Sequence, residues 1–293
     1  MQRTMDCAAD TGTLKPDAQT DELVRSIGIP PCPAALTAVQ REIGKDDPDF
    51  GHVARLVGGD VALTASLLRI VNSPAYALQR KCATVEQAIS MLGLKQVGVM
   101  VTDLMLRKVL RTDGPQLTRF WDVSSKRSLA MRSLARGLRG VEVDIAQSFG
   151  LFCDVGIALL MQRFANYLQV LRDCNDELVL SFTEVESAQL KTDHALIGGL
   201  MARSWGLSRD VSDAIRVHHD YTIFKDARTA EPVARLVAMG LLAEVAIQRF
   251  ARLNSSSEWN KGGDHVAATL MLSDQDIEDW IEQLQGEFAA DGR

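Results

Sequence analysis

Between Asp60 and Asn72 the chain reads VALTASLLRIV, with Leu63, Leu67, Leu68 and Val71 recurring every three or four residues. That period belongs to an α-helix with one buried face and is incompatible with the two-residue alternation of a strand. Asp60 offers an acceptor to the open amides of the first turn, and Asn72-Ser73-Pro74 stops the run. The same punctuation recurs along the sequence. Thr84 and Gln87 form a T-x-x-Q capping box ahead of AISML, with Gly93 at the stop. IPPCPA (29–34) cannot lie mid-helix because its three prolines lack amide donors, so it reads as an extended lead-in to a helix over 34–43. Asp47-Pro48-Asp49 opens a short helix that ends at Gly58-Gly59, and 97–110 is apolar on most sides, as a buried helix would be.

Residues 112–118, TDGPQLT, read as a linker. Beyond it the pattern predicts a helix over 121–138 and a strongly apolar one from 146 to about 167. Thr183 with Glu186 forms another capping box. Helices are predicted over 194–205 and 208–219, and Pro232 starts a long one to about 253. NSSSEWNKGG (254–263) reads as a surface loop, and Ser273 caps an acidic last helix carrying Ile277, Trp280, Ile281 and Leu284. No stretch shows convincing two-residue alternation. Aromatics are only 5%, so Leu, Ala, Val and Met carry the core, which suits helix-on-helix packing. The expected fold is all-α: a flexible leader over 1–20, an N-terminal helical lobe over 21–112, a second lobe over 118–225 and a helical extension over 226–293.

Asp and Glu total 38 against 32 Lys and Arg, for a net charge of -6. Bulk nucleic-acid binding, which needs many cations on phosphates, is argued against. No apolar run approaches the roughly 18 residues of a membrane span, and FGLFCDVGIALLM from Phe149 is interrupted by Asp154. The first residues hold no apolar signal region, and five cysteines without a C-x-x-C pair read as reduced thiols. The expected location is cytoplasmic, without membrane contact.

IPPCPA, DVALTASLLRIVNSPAYAL and ATVEQAISMLGLKQVGVMV, in that order, resemble the first half of the HDOD domain. FWDVSSKRSLA, GLFCDVG, DHALIGGLMARSWGL and AIRVHHDY resemble its second half, a degenerate HD phosphohydrolase core. The resemblance covers about 23–221. It implies an all-α bacterial signalling or regulatory module, usually without demonstrated catalysis. HD-type hydrolases hold divalent metals on imidazoles and carboxylates, and the metals activate water and stabilise phosphate oxygens. Against that pattern, Val123 stands where the first His is expected and Cys153 replaces the His of the His-Asp pair. Asp154, His194, His218 and His219 remain. The expectation is therefore no cofactor, no metal and no catalysis, with Asp154, His194 and His218 kept as a buried polar network. His219 is expected at the edge, because adjacent helix positions face differently.

Lys126, Arg127, Arg132, Arg136 and Arg139 follow one another without an intervening acid, the last three spaced to share one face. The favoured reading is a solvated face paired with Glu142 and Asp144, or covered by the acidic last helix; the sharper one is a docking face for an acidic partner or a phosphate. Gly198-Gly199 reads as a close helix approach rather than a phosphate loop. The functional expectation is a non-catalytic module that binds other signalling proteins. No receiver, kinase or cyclase domain fits the remaining length. The alternatives are a metal-dependent phosphohydrolase acting on a nucleotide and a sensor that binds a nucleotide in the vestigial cleft.

Overall fold

A computed structural model describes residues 26–73, 76, 78–110, 115–252 and 257–291. The expected flexible leader lies outside these residues. The described chain is all-α, with no strand among the described residues.

The N-terminal helices are α1 (Ala34–Ile43), α2 (Phe50–Gly58), α3 (Val61–Val71), α4 (Val85–Leu92) and α5 (Leu94–Val109). Their starts follow the sequence signals. Asp49 and Asp60 accept from the amides of His52 and Leu63, and Thr84 accepts from Gln87. Gly93, at φ 85°, makes the left-handed turn between α4 and α5 that a side chain would resist. Leu36, Val53, Val57, Leu67, Val71, Val97 and Leu106 are fully buried together; each such side chain contributes roughly 1.5–3 kcal/mol. Asn72 does more than end α3. Its amide side chain accepts from the Cys82 amide and donates to the Cys82 carbonyl, pinning the loop ahead of α4.

The following elements are α6 (Pro115–Gly137), α7 (Val143–Phe152), α8 (Val155–Arg163), α9 (Tyr167–Asp176), α10 (Phe182–Leu190), α11 (His194–Ser204) and α12 (Arg209–Val217). A 3-10 turn (Tyr221–Lys225) leads to α13 (Glu231–Phe250), α14 (Ser257–Leu270) and α15 (Asp274–Asp291). Several expectations need correction. The helix expected over 121–138 already starts at Pro115, so the second half of the expected linker is helical; residues 111–114 lie outside the described ones. Proline suits a first turn because its missing amide would be unbonded there anyway. The single apolar helix expected over 146–167 is two, broken at Cys153-Asp154, and Tyr167 belongs to α9. The capping box of α10 is Ser181 with Glu184, not Thr183 with Glu186. Residues 257–263 are the start of α14, not a surface loop.

The stretch Val143–Arg163 is long and apolar enough to cross a membrane, but 67% of its apolar 18-residue window is buried within the fold, as in a core helix. The basic run is also not a solvated face. Lys126, Arg127 and Arg132 are buried, and only Arg136 and Arg139 of the five are exposed. Arg132 lies over the Tyr76 ring at 4.4 Å, Lys126 pairs with Asp122, and Arg127 turns inward. The acidic α15 lies against α6, where Ser133 donates to Glu287 and Trp280 abuts Gly137. Gly198 and Gly199 lie where α11 meets α12, against Ile215 and the Ser212 carbonyl, as close approach requires.

Candidate functional site

The break between α7 and α8 is where the site begins. Asp154 immediately precedes α8, at its N-cap position, without capping it by a side-chain bond; its carboxylate turns inward instead. Gly156, the second residue of α8, packs on the backbone of His194, and any side chain there would run into the His194 carbonyl. That contact brings the start of α11 against the start of α8. His218 and His219 follow the last residue of α12, where the helix has ended, so the two neighbouring rings can face one centre. His219 is therefore not at the edge.

Asp154, His194, His218 and His219 offer ligand atoms that all lie within 4.8 Å of one another. Each histidine is oriented from behind. His194 Nδ1 donates to Glu186 Oε2 at 2.7 Å, His218 Nδ1 to the Ile215 carbonyl at 2.7 Å, and His219 Nδ1 to Glu258 Oε2 at 2.6 Å. With Nδ1 held outward, each ring presents Nε2 to the centre, an arrangement that carboxylate and carbonyl partners impose on metal-ligating histidines. His194 Nε2 and His218 Nε2 are 3.2 Å apart, and His218 Nε2 lies 3.3 Å from Asp154 Oδ1. Two ligands each roughly 2.0–2.1 Å from one ion would have such a separation.

The supporting residues are themselves anchored. Glu186 is fully buried, accepts from the His194 amide at 3.0 Å and from the Tyr167 hydroxyl, and so cannot cap α10 as expected. Glu258 also accepts from Tyr221 at 2.7 Å and from Lys261 at 3.0 Å. On the far side of Asp154, Arg127 Nη1 lies 2.7 Å from Oδ2, while its Nη2 lies 2.6 Å from Glu244 Oε2.

Electrostatics follow from this arrangement. Burial opposes a charge on Arg127, yet Asp154 and Glu244 hold its pKa above the ordinary value. Burial would raise Asp154, but Arg127, His218 and His194 hold it well below the usual carboxylate range. Burial likewise works against protonated His194 and His218. Glu186 and Asp154 raise His194 to about 9, and Cys153 and Asp154 beside His218 raise it to about 10. His219 goes the other way, to about 4, through burial and its protonated neighbour His218.

A cavity of about 400 Å³ opens onto this floor, with Asp154, His218, His219 and Arg127 at its base and Val123 and Leu171 among its walls. Val123 therefore presents an apolar surface where the resemblance expects a ligand. The donor set fits a divalent cation nonetheless, through three imidazoles and one carboxylate. His219 supplies the third imidazole that Val123 and Cys153 do not. Glu186, Glu244 and Glu258 are not legible as site residues in the sequence, and Arg127, expected on a solvated face with docking as the sharper alternative, turns into the site; Glu244 and Glu258 come from the expected C-terminal extension.

The HDOD domain family matches residues 29–221. An uncharacterized protein of Treponema pallidum (strain Nichols) is 26% identical over 209 residues, which are 69% of this chain and 40% of that protein's length. An HDOD domain protein of unknown function from Geobacter sulfurreducens has the same fold, with TM-score 0.69 and 22% identity over 94% of this chain and 99% of its own. A Shewanella amazonensis SB2B protein named "Putative phosphohydrolase" superposes with TM-score 0.70 and 20% identity, covering 93% of this chain and 97% of its own. A Marinobacter aquaeolei VT8 protein named "Putative signal transduction protein" gives TM-score 0.70 at 22% identity, covering 92% of this chain and 60% of its own. With two thirds of its length matched by the family, in the order of motifs seen in the sequence, the chain belongs to the HDOD domain family.

Proposed function

We propose that this chain is a non-catalytic regulatory module that binds other signalling proteins, and that its histidine–aspartate cluster holds one divalent cation as a structural pin. The observation that carries this reading is the donor set, three imidazoles and one carboxylate whose ligand atoms lie within 4.8 Å of one another. Four protein ligands make the closed arrangement of structural zinc sites, whereas hydrolytic zinc keeps three and leaves one position for water. His194, His218, His219 and Asp154 would hold the ion, which would supply a fixed positive charge joining α8, α11 and the end of α12. Glu186, Glu258 and the Ile215 carbonyl keep the rings turned toward it.

A binding role is supported by Leu178, Val179 and Leu180, apolar side chains 70%, 85% and 47% exposed between α9 and α10. Their loop is held in shape, since Glu177 accepts from the amides of Val179 and Leu180 and Lys261 donates to the Leu180 carbonyl. The likeness to the Marinobacter protein, where this fold fills 60% of a longer chain, supports a signalling context. The unpaired thiols of Cys32, Cys82, Cys153 and Cys174 suit a reducing, cytoplasmic compartment. One observation favours a second reading, a single-metal phosphohydrolase or a nucleotide sensor: the cavity reaches Asp154, His218 and His219 directly.

Purified protein supplied with Zn, Mn or Mg and assayed on phosphodiesters and nucleotides tests the proposal. The expected result is one bound ion per chain and no enzyme-like turnover. Metal-dependent hydrolysis abolished by Asp154→Ala would overturn it in favour of the hydrolase.

A further inference from the structure

Asp154 is divided between two positive environments. Its Oδ1 faces the histidines, 3.3 Å from His218 Nε2, and its Oδ2 faces Arg127 Nη1 at 2.7 Å. The second carboxylate on that guanidinium, Glu244, comes from α13 and is itself steadied by Gln248, which donates to its other oxygen at 2.9 Å. Arg127 thus lies between two partly buried carboxylates, on the opposite side of Asp154 from the imidazole cluster. A carboxylate that bridges two cations is the arrangement of two-metal sites, whose ions lie about 3.5–4 Å apart.

We infer that the Arg127 guanidinium occupies the second cation seat of this cluster, between Asp154 and Glu244, so that the chain takes one divalent ion and opening the seat creates a site for another. This rests on the single-ion reading above. The guanidinium matches both carboxylates with one N–H direction each, carries a charge that no physiological pH removes, and cannot release water or accept a phosphate oxygen as a ligand. A divalent ion between the same carboxylates would have open positions for both. Val123 agrees with this assignment, since it stands one turn before Arg127 on α6, lines the same cavity and offers no donor to a second ion.

The test is Mn²⁺ stoichiometry, measured by metal analysis after desalting, for the wild type, Arg127→Ala and Arg127→Ala with Glu244→Gln. The expected values are one, two and one ion per chain. A stoichiometry unchanged by Arg127→Ala would overturn the inference. A wild type that binds no ion would sink the structural-pin reading alone; a gain on Arg127→Ala that Glu244→Gln cancels would still establish the seat. Arg127→Gln, which keeps more of the side chain, serves as the second variant. If both variants are unfolded in buffer, recovery of helical circular dichroism with excess Mn²⁺ supports the inference, and failure to recover overturns it.

Discussion

Val123 and Arg127 stand one helical turn apart on α6 and line the same cavity, the first with methyl groups and the second with a guanidinium held by Asp154 and Glu244. One face of one helix therefore brings no imidazole and one permanent cation to the site. An imidazole at position 123 beside the buried guanidinium would face a like charge whenever it was protonated. The two residues form a consistent pair, and changing either alone disturbs the charge balance at Asp154.

That balance can be measured. Arg127→Met leaves two partly buried carboxylates without their cation, and Asp154→Asn leaves the buried guanidinium with Glu244 alone. Each is expected to cost about 3–5 kcal/mol, the range for breaking a buried pair from one side. The double variant should cost less than the sum of the singles by about 0.5–3 kcal/mol, because the groups are coupled. Urea melts of the four proteins check this; strict additivity would mean the pair contributes nothing as a pair.

Metal removal gives a second expectation. An ion that binds the folded chain alone stabilises it by about 2.7 kcal/mol when present at a hundredfold excess over Kd. EDTA should therefore lower the Tm of zinc-loaded wild type. It should leave His194→Gln unmoved, because that variant lacks one imidazole and the ring behind which Glu186 is buried. Equal EDTA shifts in both proteins would place the ion elsewhere.

The acid and alkaline limbs of stability should have different owners. His194 and His218, raised from 6.5 to about 9 and about 10, bind protons more tightly folded than unfolded. Their contribution is complete below pH 6.5 and is lost as pH rises through 9 to 10. His219, lowered from 6.5 to about 4, refuses a proton that the unfolded chain accepts. Its contribution is present above pH 6.5 and is lost as pH falls toward 4. In EDTA, urea melts should show an alkaline loss that His218→Gln reduces, and an acid loss that it reduces only in part, because burial is the larger cause of the His219 shift and His218 the second. With zinc the alkaline loss should shrink, since ligands release protons to bind metal.

Gly156→Ala tests the contact that joins α8 to α11. The added methyl would collide with the His194 backbone, which is not the far end of a flexible side chain and cannot swing away. A loss of about 1–3 kcal/mol or more is expected from overpacking, together with weakened metal binding. A variant as stable as wild type would show that the two helix starts are not in contact.

The helices were legible because their signals are local. Asp49, Asp60 and Thr84 each cap the helix that follows, and the stripe on α3 is buried as its period requires. The site was legible only through residues next to a motif. Asp154, His194 and His218 were found, but Glu186 looked like a capping residue because Thr183 precedes it by three positions, and Ser181 with Glu184 offered the same pattern two residues earlier. Arg127 looked like part of a charged face because spacing along α6 does not reveal which neighbours surround it. Glu244 and Glu258 reach the site from α13 and α14, and no local pattern reports a contact made across such separations. His219 was misplaced by extending helical geometry past the end of α12 at Val217.

The helix α11 opens with His194 in the cluster and ends one residue before Trp205, whose indole N–H donates to the Pro30 carbonyl at 2.9 Å. Eleven residues at 1.5 Å each make it a strut of about 16 Å. One end of that strut rests on the imidazole–carboxylate centre and the other holds the chain as it enters α1. Gly156 packs on its first residue, and Gly198-Gly199 let α12 approach it closely near its middle. The imidazole–carboxylate cluster and the entry to the first helices are thus joined through one helix. A partner gripping the N-terminal helices would pull on the same rod that the proposed ion would fix at its far end.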